Sequence, residues 1–165
     1  MSISARKRQH LDICLKENIE DESYFGDVVL IHNALPNINF NEIDTKIDFL
    51  GKKLNMPLII SSMTGGTEEG EKINKLLAEV AEEKKIGFAL GSQRAMFEDR
   101  SLEYTYHVRD VAPTTLILGN IGIANLDKYI SIIDKKIEEL KLDGTYIHLN
   151  PAQEIFQKEG DINWS

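Results

Sequence analysis

Residues 116–122 read LILGNIG, an apolar run that passes into Gly-Asn-Ile-Gly with no polar residue alternating through it. A strand exposed on one face alternates apolar with polar side chains. A strand covered on both faces does not, so Leu116-Ile117-Leu118 reads as a buried strand of a parallel sheet, with Gly119-Asn120-Ile121-Gly122 at its end. Three more runs of the same kind lie on either side: Leu58-Ile59-Ile60, Gly87-Phe88-Ala89-Leu90 and Tyr146-Ile147-His148-Leu149. Taking 58, 88, 116 and 146 as markers, the spacings are 30, 28 and 30 residues, the length of a repeated strand–helix unit.

The intervening segments agree. Residues 69–85 place Ile73, Leu76, Leu77, Val80 and Ala81 on one helical stripe, and residues 127–141 do the same with Ile130, Ile133, Ile137 and Leu140. A weaker helix is expected over 99–111, with Leu102, Val108 and Val111 facing inward. Pro57 and Pro113 stand just ahead of strands, where a missing N–H is tolerated. From residue 57 onward the chain therefore alternates strand and helix, which means parallel α/β architecture. Residues 1–56 do not fit the repeat; they read as an N-terminal extension packing on the sheet, with a possible strand at Asp27 to His32. No low-complexity linker splits residues 57–165 into further domains.

With 165 residues, 42% hydrophobic and 28% charged, the chain is long enough to bury a sizeable core. A net charge of −8 repels phosphate-rich surfaces, so neither nucleic acid nor an anionic membrane is an expected partner. The single Cys14 excludes an internal disulfide and fits a reducing compartment, and no apolar run approaches transmembrane length. The expected location is cytoplasmic.

Parallel α/β folds bind ligands at the carboxyl ends of their strands. Those ends are polar or glycine-bearing here: Ser61-Ser62-Met63-Thr64-Gly65-Gly66, Gly91-Ser92-Gln93-Arg94, Gly119-Asn120-Ile121-Gly122, and His148 through Glu154. Each has an ordinary reading as well. Ser61, Ser62 and Thr64 could cap the following helix, and Arg94 could be a solvated surface arginine. Asn120 could satisfy a turn, His148 could be a hydrogen-bonded core histidine, and Glu154 could lie on a helix surface. Arg6-Lys7-Arg8, with His10 beyond, could be a solvated terminus. Four polar strand ends in succession on one face favour a site, and an Arg fork suits an anionic oxygen pair. Nucleophile-elbow, P-loop and zinc-protease motifs are missing, as are paired cysteines. The residues alone support an anionic-ligand site on a parallel α/β fold.

The stretches ARKRQH, NMPLIISSMTGG, IGFALGSQRAMFED, RDVAPTTLILGNIG and YIHLNPAQEIFQKEGD, in this order, resemble the type 2 isopentenyl-diphosphate delta-isomerases. These flavin-dependent enzymes interconvert isopentenyl and dimethylallyl diphosphate, a step of isoprenoid biosynthesis. The resemblance implies a (β/α)8 TIM barrel, with FMN, Mg²⁺ and NAD(P)H as cofactors. It implies that Arg6 and Lys7, with His10 nearby, grip the diphosphate, and that Ser61, Ser62, Met63 and Thr64 border FMN. Ser92 would be shared by flavin and substrate, with Gln93 beside it and Arg94 reading diphosphate; Asn120 would contact the flavin. His148, Asn150 and Gln153 would line the substrate pocket, with Gln153 beside the reacting carbon in a positioning or relay role and Glu154 on Mg²⁺.

A (β/α)8 barrel needs about 250 residues, so the expectation is a half-barrel: the first four β/α units plus the extension. Such a chain is expected to be an isomerase half acting with a complementary C-terminal half. Alternatives are a non-catalytic half-barrel remnant or binding module, self-associating into homo-oligomers through open sheet edges, and another FMN-barrel oxidoreductase.

Overall fold

In the computed structural model, residues 3–20, 24–156, 160 and 162 are described. The chain begins with α1 (Ile3–Lys16), then β1 (Ile47–Phe49), β2 (Lys52–Leu54), β3 (Ile59–Ile60) and α2 (Glu68–Lys84). It continues through β4 (Gly87–Ala89), α3 (Arg94–Glu98), β5 (Ile117–Gly122), α4 (Leu126–Glu139), β6 (Gly144–His148) and α5 (Pro151–Phe156). Strands β3-β4-β5-β6 pair in parallel in that order, with β5 and β6 in register from Leu118↔Gly144 to Gly122↔His148. The expected parallel α/β alternation is present, and its central strands β4 and β5 are covered on both faces. Phe88, Leu90 and Ile117 pack with Ala78, Ala81 and Met96 on the helical side. Ala89, Leu116 and Leu118 pack with Leu54 of β2 on the other.

The half-barrel expectation is corrected. The described residues form an open four-stranded parallel sheet beside a separate two-stranded antiparallel one, a small α/β fold in which no TIM-barrel half is evident. A barrel needs one tilted, staggered ladder that returns on itself. Here β3 pairs over only two residues, and β1 and β2 pair only with each other.

Several local expectations change for identifiable reasons. Residues 28–32 form no strand: no sheet edge pairs with them, and Val28, Val29, Leu30 and Ile31 stand exposed. The helix expected over 99–111 is the short α3 followed by a 3₁₀ segment, Arg100–Tyr106, opened by Asp99 accepting from Ser101 N–H. Helix α2 is rolled relative to the expected stripe. It buries Asn74, Ala78 and Ala81 and leaves Leu76 exposed. In α4, Ile130 is exposed and Tyr129 is buried in its place, stacked on Phe97 with ring centres 4.7 Å apart.

Glu82, near the end of α2, joins that helix to the turn before β5. Its carboxylate accepts from Thr114 N–H at 2.9 Å and Thr115 N–H at 2.8 Å, and from the Lys85 ammonium and Thr114 hydroxyl. Burial alone would raise this carboxyl; the hydrogen bonds outweigh it and pull the group down to about 2. Its stabilising effect is therefore complete above the ordinary value of 4.5 and is lost as pH falls towards about 2. Glu82→Gln is expected to lower urea stability at pH 7 by about 1–3 kcal/mol, with a smaller deficit at pH 3. Equal deficits at the two pH values would remove the carboxylate from this role.

Candidate functional site

The carboxyl ends of β3 to β6 open into a cavity of about 680 Å³. Helix α1 supplies one wall with Arg6, Lys7 and His10; Ser61, Ser62, Met63, Ser92, Arg94 and Asn120 line it from the strand ends. His148, Asn150 and Glu154 line it beyond β6. Twelve of the expected site residues thus meet around one space. The ordinary alternatives weaken accordingly. Thr67, not Ser61, Ser62 or Thr64, caps α2, accepting from Gly70 N–H at 2.9 Å. Arg6 and Lys7 belong to a helix whose Leu11 is buried.

Spacing along α1 puts residues 7, 10 and 14 on one helical face, so Lys7 and His10 turn inward together. Lys7 is only 9% exposed. Burial, then the like charge of Arg6, push its ammonium down to about 8. His10 is lowered in the same way, by burial and then by Arg6 and Lys7. Three basic groups crowd a poorly hydrated wall and repel one another, a state that an anion would relieve. Arg94 reaches the cavity from α3, its Nε donating to Glu98 Oε1 at 2.8 Å.

On the opposite side the polar groups are neutral or acidic. Asn120 donates through Nδ2 to Ser62 Oγ at 3.0 Å, and its Oδ1 lies 2.7 Å from His148 Nδ1. Burial lowers the His148 imidazole; Glu154 opposes that shift and Lys7 adds to it. Imidazole is therefore the dominant form near neutral pH.

Two expected residues do not line the cavity. Thr64 is buried with its carbonyl accepting from Gly91 N–H at 3.1 Å and Asn74 Nδ2 at 3.2 Å. Gln93 is 3% exposed and turns its Oε1 to Asn120 N–H at 3.1 Å, pinning β4's loop to β5. Gln153 takes a helical place in α5, and its side chain lies outside the described residues.

The loops are held from behind by a pair that sequence reasoning passed over. Tyr106, fully buried, donates its hydroxyl to the Ser92 carbonyl at 2.8 Å, and Thr105 Oγ1 accepts from Gly66 N–H at 2.9 Å. A Cβ at Gly65 would overlap the Tyr106 ring, and Gly66 has φ +75°, so the double glycine is what lets the ring sit there. Cys14, Asn125 and Tyr146 also line the cavity. Tyr146 could have been found by its two-residue spacing from His148, which puts both on one sheet face.

No family model matches the chain. Over 99% of its length it is 47% identical to the isopentenyl-diphosphate delta-isomerase of Archaeoglobus fulgidus, covering 48% of that protein. It is 46% identical over 98% of its length to the protein of the same name from Methanococcoides burtonii, covering 46% of it. For the Sulfurisphaera tokodaii protein of that name the identity is 42% over the whole chain, again covering 46%. The chain thus spans about half the length of the curated relatives it matches. Their names specify neither a subtype nor a flavin. The alignments run along essentially all of this chain and lend no support to the expected complementary half. Among the described residues, no helix is long and apolar enough to cross a membrane.

Proposed function

We propose that the chain belongs to the isopentenyl-diphosphate delta-isomerases and binds isopentenyl and dimethylallyl diphosphate for the proton shift that interconverts them. The observation that carries this reading is the polarity of one cavity. Arg6, Lys7 and Arg94 bring cationic groups to it, with His10 beside them, while Glu154 supplies an oxygen ligand. A diphosphate needs both: positive charge to offset its own, and an oxygen ligand for the divalent ion that accompanies it. The similarity to proteins named for this reaction supports the choice of substrate.

Glu154 is the candidate Mg²⁺ ligand. Among the described residues there is no cluster of three His, Cys, Asp or Glu side chains, so a metal here would be held by one carboxylate together with substrate oxygens. That is the habit of Mg²⁺. Ser61, Ser62, Met63, Ser92 and Asn120 form a stretch of cavity lining without bulky branched side chains, which fits the approach of a flat heterocycle such as FMN. When bound and reduced, with NAD(P)H as the electron source, flavin would supply the acid–base chemistry of the proton shift. The chain's own residues bind and orient. Arg6, Lys7 and Arg94 hold the diphosphate end, and Asn150 and Gln153 position the hydrocarbon end, Gln153 in the relay role its amide allows.

The test is conversion of isopentenyl to dimethylallyl diphosphate by the purified chain with Mg²⁺, with and without FMN and NADPH. Turnover that requires reduced flavin is the expected result; turnover without flavin would remove FMN and leave the isomerase reading. A non-catalytic diphosphate-binding module is the second reading. It is favoured by the exposed Tyr146, Ile147 and Leu149 at the open β6 edge. Tight pyrophosphate binding with no turnover in any mixture would establish it instead.

A further inference from the structure

The resemblance assigns Asn120 to the flavin, yet its amide already has partners on both sides. Nδ2 donates to Ser62 Oγ at 3.0 Å and Oδ1 lies 2.7 Å from His148 Nδ1. Its backbone is pinned as well: the N–H donates to Gln93 Oε1 at 3.1 Å, and the carbonyl accepts from Gln93 N–H at 2.8 Å. Asn120 sits in the middle of the buried β5, so its side chain has little freedom to follow a ligand.

With Oδ1 facing Nδ1, the imidazole nitrogen must carry the hydrogen. His148 lies along Gly122, its Nε2 3.0 Å from where a Cβ would stand. Reversing the Asn120 amide would move the imidazole hydrogen to Nε2.

We infer that Asn120 is a positioning residue: bridged to Ser62, it holds His148 in the Nδ1–H tautomer and leaves Nε2 as a hydrogen-bond acceptor. An acceptor nitrogen repels phosphate oxygens, which are acceptors themselves, and suits a water or a hydroxyl. His148 therefore stands outside the cationic clamp. Under the proposed function, on which this last step rests, the diphosphate is gripped from α1 and through a metal on Glu154, and not by His148.

The tautomer can be read without any turnover. In the chain carrying ¹⁵N-labelled histidine, long-range ¹H–¹⁵N spectra near pH 7.5 distinguish Nδ1–H from Nε2–H, and His148→Gln identifies the His148 signals. The expected result is Nδ1–H for His148, unchanged by inorganic pyrophosphate. Asn120→Ala is expected to return the ring to predominantly Nε2–H, as in a free side chain, while His10, His32 and His107 keep their signals. Asn120→Ser, too short to reach the ring, serves if the alanine variant does not fold. Nε2–H or an even mixture in the parent chain overturns the inference. So does a tautomer that survives loss of the amide, or an Nε2 that gains a hydrogen when pyrophosphate binds. A failed isomerase assay would leave all of these readings standing, so the two ideas fall separately.

Discussion

Lys7→Met is expected to make the chain more resistant to urea and to weaken its binding of inorganic pyrophosphate by at least about tenfold, the loss of one charge-assisted contact. Both effects come from one buried ammonium. Burial and the neighbouring Arg6 lower its pKa from 10.5 to about 8. That difference corresponds to roughly 3 kcal/mol held against the charged form at neutral pH. Methionine keeps most of the apolar stem and removes the charge, so stability should rise by about 1–3 kcal/mol at pH 7.

The sign of the pH dependence follows from linkage. A lowered folded-state pKa means that the unfolded chain binds more protons between about 8 and 10.5. Stability therefore rises with pH across that window in the parent chain and lacks this rise in Lys7→Met. Pyrophosphate affinity in the parent should fall as pH climbs above about 8. Urea titrations at pH 7 and 9, with calorimetric binding at the same values, decide the matter. A destabilised Lys7→Met with unchanged pyrophosphate affinity would take Lys7 out of the anion site.

The periodic features of the chain were legible because their cause is local. Runs such as Leu116-Ile117-Leu118 are apolar throughout because both sheet faces are covered, and each of the four runs marks a strand, although β5 continues four residues past Leu118 to Gly122. Helix faces were less legible. Ile130 and Tyr129 compete for the same inward position, and the stacking of Tyr129 on Phe97, a partner more than thirty residues earlier, decides it. Loop side chains were least legible. Thr64 and Gln93 look like their neighbours Ser62 and Ser92 in sequence, yet Gln93 turns inward to meet Asn120 N–H through its Oε1, and Thr64 is buried with its carbonyl held by Gly91 and Asn74. The resemblance brought Arg6 and Lys7 to the strand ends, whereas their own composition suggested a solvated terminus. The half-barrel expectation failed at the level of topology, where strand existence is a local matter but closure depends on what each edge pairs with.

Arg109→Ala should cost about 3–5 kcal/mol, the range for removing one partner of a buried ion pair. The guanidinium closes the end of the sheet opposite the cavity. Nη2 meets Asp143 Oδ2 at 2.5 Å, Nη1 donates to the Ala112 carbonyl at 3.0 Å and the Thr115 carbonyl at 2.8 Å, and Nε donates to the Lys141 carbonyl at 2.5 Å. Asp143 in turn accepts from Ile117 N–H at 2.8 Å and pairs with Lys52 of β2 at 3.2 Å. The starts of β5 and β6 and the separate hairpin are thus tied together through one carboxylate. Removing Arg109 strands three carbonyls and leaves that carboxylate with a single exposed-side cation. Lysine cannot restore the set, because an ammonium lacks the planar fork that reaches several acceptors at once. Asp143→Asn keeps an acceptor for Ile117 N–H and should cost less. For a domain whose total stability is about 5–15 kcal/mol, Arg109→Ala removes a large share. Urea midpoints for Arg109→Ala, Arg109→Lys and Asp143→Asn should fall in that order of severity. Pyrophosphate affinity, measured where each variant remains folded, should stay within about twofold of the parent, because the lost contacts lie at the far ends of the strands. A lysine variant as stable as the parent would show that charge alone, and not the fork, holds this end of the fold.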